Sequence, residues 1–319
     1  MFTRTLGRSG ITVSALGLGC WAIGGPFWRG DNPVGWGTVD DAESLRAIQR
    51  ALDLGVTFFD TADVYGCGHS ERLLGQALAG QRERLVIATK FGNVFDEQTR
   101  HITGEGASPD FIRQACAASL KRLQTDYIDL YQFHLGRYDL AQAVSVRDTL
   151  ESLVAAGKIR AYGWSTDDPE RARLFAEGAH CAAIQQRLNI FEGNAQVLAL
   201  CEQLNLSSVN RGPLAQGLLT GKFTSDSELP ADDVRHGWNL SDGDLALRLK
   251  KIETLRAVLT RDGRSLAQAA LGWLWARSPK TIPIPGFKTV KQIEDNAGAL
   301  RHGPLTPEQM ADIERLLAS

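Results

Sequence analysis

Short apolar runs recur along this chain, separated by stretches in which apolar residues return every three or four positions. A polar, Gly-punctuated start, "FTRTLGRSGITVSAL", predicts a hairpin turning at Ser9-Gly10. Eight runs follow: "LGLGCW", "VTFFDTA", "LVIATKFG", "YIDLYQFH", "IRAYGWST", "CAAIQQRLN", "LSSVNRGPL" and "TIPIPGF". Runs this apolar read as strands buried on both faces, the condition of a parallel sheet covered by helices. The intervening stretches carry legible helix starts at Asp40 with Glu43 three residues on, Ser108-Pro109, Asp168-Pro169, and Thr306-Pro307 with Gln309. Gly55 marks a helix stop in "ALDLGV".

Strands alternating with helices pair in parallel through right-handed crossovers. Eight such units predict a (β/α)8 TIM barrel with an N-terminal β-hairpin, with a doubly wound open sheet as the alternative. Residues 92–108 and 216–262 break the rhythm; both are polar and Gly-containing, and they are expected to be loops over one end of the barrel. No linker divides the chain, so residues 1–319 are expected to form a single domain.

Composition narrows the function classes. The chain of 319 residues is 43% hydrophobic and 23% charged, with a formal net charge of -2. Its Lys and Arg are scattered, which argues against nucleic acid or a membrane surface as partner. Five cysteines (Cys20, Cys67, Cys116, Cys181, Cys201) lie far apart with no C-x-x-C pair, the usage of reduced thiols rather than of a disulfide frame or a metal site. The polar N-terminus lacks the apolar core of a signal peptide and no run approaches a membrane span, so a cytoplasmic protein is expected.

In a barrel of this kind chemistry collects at the C-terminal ends of the strands. The runs close on Gly19, Cys20 and Trp21; on Asp60, with Tyr65 just beyond; on Lys90; on Gln132 and His134; on Ser165 and Thr166; on Gln185 and Asn189; on Arg211; and on Gly286 and Lys288. Singly, a buried Asp–Lys pair, a Tyr after a strand or a His at a strand end serves packing more often than chemistry. Together at neighbouring strand ends, Asp60, Tyr65, Lys90 and His134 make an acid–base unit. A phenol is a poor acid at neutral pH; an adjacent ammonium lowers its pKa, and a carboxylate holds that ammonium charged. Asp60 and Lys90 are expected to do this for Tyr65, and His134 to orient a carbonyl by donating a hydrogen bond.

The stretches "FFDTADVYG", "IATKFG", "LYQFH", "GWST", "GPLAQGLLTGKF" and "IPIPGFKTVKQIEDNAGAL", in this order over essentially the whole chain, resemble the aldo-keto reductases. The resemblance implies a (β/α)8 barrel with an N-terminal hairpin, and NADPH-dependent reduction of aldehydes or ketones, or the reverse. It makes Asp60, Tyr65, Lys90 and His134 the catalytic tetrad, with Tyr65 the general acid as hydride arrives from the nicotinamide. It assigns Gly19, Cys20 and Trp21 to the strand along the nicotinamide, and Ser165, Thr166 and Gln185 to its carboxamide. Gly212, Pro213, Leu214, Gln216, Gly217 and Lys222 match the loop that wraps the pyrophosphate. Gly286, Lys288, Gln292, Asp295 and Asn296 match the segment that binds the adenine and the 2'-phosphate, the phosphate meeting Lys288 and the start of a helix at residue 290. No metal is implied.

Two positions depart from the family pattern. Arg211 stands where many members stack an aromatic ring on the nicotinamide, and Thr166 where they have Asn. A fixed cation beside that ring favours its neutral, reduced form. Trp21, Phe27, Trp28, Trp36, Phe91 and Trp238 are candidates for the substrate pocket, and the short segment after Asn296 leans toward polar or sugar-like carbonyls. Two other functions remain in view: a lyase forming a Schiff base through Lys90, and an NADPH-binding redox-sensor subunit.

Overall fold

Eight strands, β1 (Gly17–Gly19), β2 (Phe58–Asp60), β3 (Val86–Phe91), β4 (Ile128–Phe133), β5 (Ile159–Ser165), β6 (Cys181–Asn189), β7 (Ser207–Arg211) and β8 (Thr281–Pro283), lie side by side in chain order, every neighbouring pair parallel. They belong to a computed structural model that describes residues 2–318. The ring closes between β8 and β1, where Gly19 and Gly286 bridge in parallel and Gly19 N donates to Pro285 O at 3.0 Å. A β-carbon on Gly19 would sit 2.8 Å from Ile284 O, so glycine is what lets the seam close. The barrel alternative of the sequence reading is the one observed, and the hairpin (Thr3–Thr5 with Thr12–Ser14) is present.

The pleat repeats every two residues, so inward positions are two apart along each strand. Phe58, Val86, Ala88, Leu130, Ala161, Ala183, Val209, Ile282 and Ile284 fill the lower barrel, and Leu6, Ile11 and Val13 of the hairpin pack into the same cluster. Two residues further along, the same pleat turns Asp60, Lys90, Gln132, Gln185 and Arg211 toward the upper end. The outward positions, among them Ile87, Tyr131, Phe133 and Trp164, meet the helices in a second apolar layer.

The crossovers are α1 (Asp41–Asp53), α2 (His69–Ala77), α3 (Pro109–Leu123), α4 (Leu140–Ala155), α5 (Pro169–Ala176) and α6 (Ala195–Gln203). After β7 come α7 (Gly243–Leu259) and α8 (Leu266–Arg277), and after β8 come α9 (Val290–His302) and α10 (Pro307–Ala318). The predicted starts are observed: Asp40, Ser108 and Asp168 each accept a backbone N–H from the first turn. Thr306 and Gln309 bond reciprocally in a capping box. No described helix is long and apolar enough to cross a membrane.

Both expected loops contain structure. Residues 93–105 form a hairpin (Asn93–Asp96 with His101–Glu105) that extends Trp28–Arg29 and Asn32–Pro33 into a four-stranded sheet. Asp96 makes its turn by accepting from Gln98 N and Thr99 N, both at 2.8 Å, a side-chain turn that polarity alone does not reveal. Within 216–262, α7 buries Ile252, Leu255, Val258 and Leu259, an apolar stripe at helical spacing behind the Asp242 cap.

Candidate active site

Tyr65 sits in the β2–α2 loop, and the loop is held from behind. Ser70 Oγ bonds Thr61 Oγ1 and donates to Cys20 O, both at 2.8 Å, tying α2 to the end of β1. Gly66 has φ +60°, and a β-carbon there would lie 1.9 Å from Gly24 O. Only glycine lets this loop lie back to back with the turn at Ala22–Gly24 and so hold Tyr65 over the mouth.

Lys90 is fully buried and its Nζ meets Asp60 Oδ1 at 2.5 Å, Thr61 O at 2.7 Å and Tyr65 OH at 3.2 Å. Burial is the largest influence on Lys90 and opposes its ammonium form, but the charges of Asp60 and Tyr65 and the hydrogen bonds to both together outweigh it, and the pKa ends above its ordinary value. Tyr65 behaves differently from the sequence expectation. Burial raises the phenol's pKa, and the Lys90 charge opposes the rise without cancelling it. The phenol is therefore protonated throughout the neutral range.

His134 stands edge-on to Tyr65, ring centroids 5.9 Å apart at 82°. Burial first, then the charges of Lys90 and Arg211, holds its pKa well below the ordinary value, so the imidazole is neutral at pH 7. Its Nδ1 is buried with no partner among the described residues, which favours the tautomer with its proton on Nε2. Cys20 is buried beside Asp60 and burial raises its pKa, which excludes a thiolate nucleophile at the mouth.

Of the six aromatic candidates for the pocket, Trp21 stacks on Tyr65 (5.9 Å, 19°) and Trp36 stands edge-on to Trp21 (5.2 Å, 87°). Phe91 stacks on Tyr131 and Phe133 behind β3, and Phe27 packs with Ala62, Val64 and Cys67. Trp28 stacks on His101 and Trp238 packs by Phe223 and Arg235. None of these four rings stacks on a tetrad side chain, although Phe91 O accepts from His134 N at 2.8 Å and Tyr65 packs against the Phe27 cluster.

Beside the tetrad a groove of about 770 Å³ is lined by Ser165, Thr166, Asp167, Arg137 and Arg211. Arg211 is ion-paired with Asp167, which also accepts from Arg187 N at 2.6 Å. The lone cation expected there is thus largely neutralised. Gln185 lies lower, with Nε2 donating to Asp60 Oδ2 at 2.8 Å and to Gln132 Oε1 at 3.1 Å.

A second cluster gathers Lys222, Arg235 and Lys288 around Asp233. Arg235 pairs with Asp233, stacks over Trp36 at 4.4 Å and donates to Gln216 O at 3.1 Å. Lys222 has no ion-pair partner among the described residues, and burial together with Arg235 lowers its pKa. Lys288 donates to Trp36 O and, at 3.3 Å, to Thr38 O. Ala215, Gln216 and Gly217 are consecutive left-handed residues, and Gly212 has φ +60°. Partly desolvated cations exceeding the carboxylates beside them fit a polyphosphate ligand.

Of the adenine-side candidates, Gly286, Lys288, Gln292 and Asn296 lie together around the start of α9, whereas Asp295 faces α8. Gln292 Oε1 accepts from Lys288 N at 2.7 Å, and the buried Asn296 donates to Gly286 O at 3.4 Å. Asp295 turns its carboxylate to Ser265 and Gln268 at the start of α8. The first N–H of α9, at Val290, is taken by the Glu43 carboxylate at 2.9 Å, where a phosphate was expected. Sequence reasoning missed Arg235 and the role of Gln132. Arg235 lies in an irregular loop with no signal, whereas Gln132 is an inward position two before His134.

A sequence model of the Aldo/keto reductase family matches residues 15–318. The "Aldo-keto reductase YhdN" of Bacillus subtilis is 32% identical over 98% of this chain and 92% of its own length. The glycerol dehydrogenase AKR11B4 from Gluconobacter oxydans superposes with a TM-score of 0.86 at 32% identity, over 99% of this chain and 95% of that one. An aldo/keto reductase from Klebsiella pneumoniae in complex with NADP and acetate gives a TM-score of 0.70 at 28% identity, over 99% and 95%.

Proposed function

The chain belongs to the aldo/keto reductase family, and from that premise we propose that it reduces an aldehyde or ketone to the alcohol with NADPH, Tyr65 giving the proton. The observation that carries the proposal is the buried Asp60–Lys90–Tyr65 chain, a protonated phenol at the barrel mouth bonded to an ammonium that Asp60 holds charged.

NADPH, when bound, supplies the hydride. Ser165, Thr166 and Arg211 line the groove for its nicotinamide end, and Lys222, Arg235 and Lys288 offer charge to its phosphates. His134 donates from Nε2 to the carbonyl oxygen and holds it against Tyr65. Tyr65 then gives its proton to that oxygen as negative charge develops there, and Lys90 stabilises the phenolate left behind. Asp60 keeps Lys90 charged. Trp21 covers the Tyr65 ring and sheds water from the mouth.

A phenol protonated through the neutral range favours the reductive direction, because oxidation needs the phenolate as base. A Schiff-base lyase is disfavoured, since the reaction needs a free amine and Lys90 is an ammonium with three partners. Five buried thiols are in keeping with a reducing cytoplasm.

The test is a panel of aldehydes, ketones and sugars followed by loss of NADPH absorbance. Turnover of at least one carbonyl class is expected. Tight NADPH binding with no turnover across the panel would favour a redox sensor instead.

A further inference from the structure

The Asp60 carboxylate is wholly enclosed, and its two oxygens are used differently. Oδ1 faces Lys90, while Oδ2 accepts from Gln132 Nε2 at 2.9 Å and from Gln185 Nε2 at 2.8 Å. Gln185 Nε2 also reaches Gln132 Oε1 at 3.1 Å, so two amides and one carboxylate close a ring beneath the tetrad. All three side chains are buried.

We infer that Gln132, assisted by Gln185, is a positioning residue: the two amides clamp Oδ2 and so aim Oδ1 of Asp60 at Lys90. The inference rests on the reductive reading of the site. A carboxylate on a strand end has rotational freedom about its last bond, and a buried lysine stays charged only while an opposing charge is in contact. Two donors on one oxygen remove that freedom. The charge on Lys90 is then as secure as the amide ring, although neither glutamine touches Lys90 or Tyr65. The charged and titratable groups facing the pair are Cys20 just past β1, Asp63 and Tyr65 from the β2–α2 loop, His134 just past β4 and Arg211 at the end of β7. None supplies a carboxylate that takes over from Asp60: the pKa of the buried Asp63 is pushed well above the usual carboxylate range, by burial first and Glu71 second, which disfavours its charged form.

The test is Gln132→Met, which keeps the length and removes the donor, read on the whole protein by nitrogen NMR of lysine side chains labelled with heavy nitrogen. The Lys90 signal is assigned by its loss in Lys90→Met. In wild type the buried ammonium signal persists into the alkaline range. In Gln132→Met it is expected to vanish roughly one to two pH units lower, the scale of one hydrogen bond to a charged group. The high-pH limb of kcat moves down with it, while NADPH affinity, read by tryptophan quenching, changes less than twofold. Gln185→Met, which removes the other donor, shifts the signal in the same direction and serves should Gln132→Met not fold.

Folded variants whose Lys90 signal titrates as in wild type would overturn the inference and leave Gln132 a packing residue. Wild type that turns over no carbonyl would overturn the reductive reading instead, while the NMR signal still decides the clamp.

Discussion

Replacing Lys288 by Met tests the cofactor side where charge decides. The 2'-phosphate distinguishes NADPH from NADH, so a lysine that meets it acts on one cofactor alone. One hydrogen bond to a charged group is worth about 1.5–3 kcal/mol net. Here the gain is smaller, because Lys288 leaves the carbonyls of Trp36 and Thr38, and because Glu43 already holds the first N–H of α9. Allowing about 0.5–1.5 kcal/mol for the bonds given up leaves about 1–1.5 kcal/mol. At 1.4 kcal/mol per decade this is a preference for NADPH of roughly 5–12-fold. The assay is tryptophan quenching, since Trp36 lies beside the cluster, at low and high salt. Lys288→Met is expected to weaken NADPH by that factor and leave NADH within twofold. Salt shrinks the wild-type preference, as screening demands of a half-exposed pair. Equal dissociation constants for the two cofactors in wild type would refute the reasoning.

Lys90→Met is expected to lose carbonyl reduction by about 10²–10⁴-fold, and to cost stability at the lower end of the ~3–5 kcal/mol of a broken buried pair, because Asp60 keeps its two amide donors. The folded pKa of Lys90 is raised, so its stabilisation is full below its ordinary 10.5 and is lost as pH rises through the folded value; urea melts above that pH should show the loss in wild type and not in the variant. Gly66→Ala adds a left-handed residue, about 1–2 kcal/mol, to a clash with Gly24 O worth about 1–3 kcal/mol, and should lower both the urea midpoint and turnover. Arg211→Leu leaves Asp167 alone beside the nicotinamide groove; since the pair is partly exposed and worth about 0–1 kcal/mol, NADP⁺ affinity should rise relative to NADPH by up to about fivefold, measured by titration calorimetry.

The barrel was legible because its eight strands are short unalternating apolar runs with capped helices between them, and because inward positions fall two apart. Asp60, Lys90 and His134 were readable as neighbours because each closes one of three consecutive apolar runs. The elements that escaped depend on single side-chain bonds rather than on a pattern: the Asp96 turn that makes a hairpin of residues 93–105, and Asp233, which draws Arg235 into the phosphate cluster. Glu43 is a case of a correct signal with a different use. Its place three residues after Asp40 suggests a capping box, yet its carboxylate caps α9, a helix some 250 residues further along the chain. The pKa of Tyr65 was misjudged because neighbouring charges can be read from sequence whereas the depth of burial that outweighs them cannot.

The most direct measurement is kcat for carbonyl reduction by Tyr65→Phe, taken with the NADPH dissociation constant of the same variant. Phe keeps the ring against Trp21 and loses only the hydroxyl that Lys90 holds at 3.2 Å. The account predicts a fall in kcat on the order of 10²–10⁴-fold with NADPH binding nearly unchanged. A variant that binds NADPH and keeps most of the wild-type kcat would contradict it.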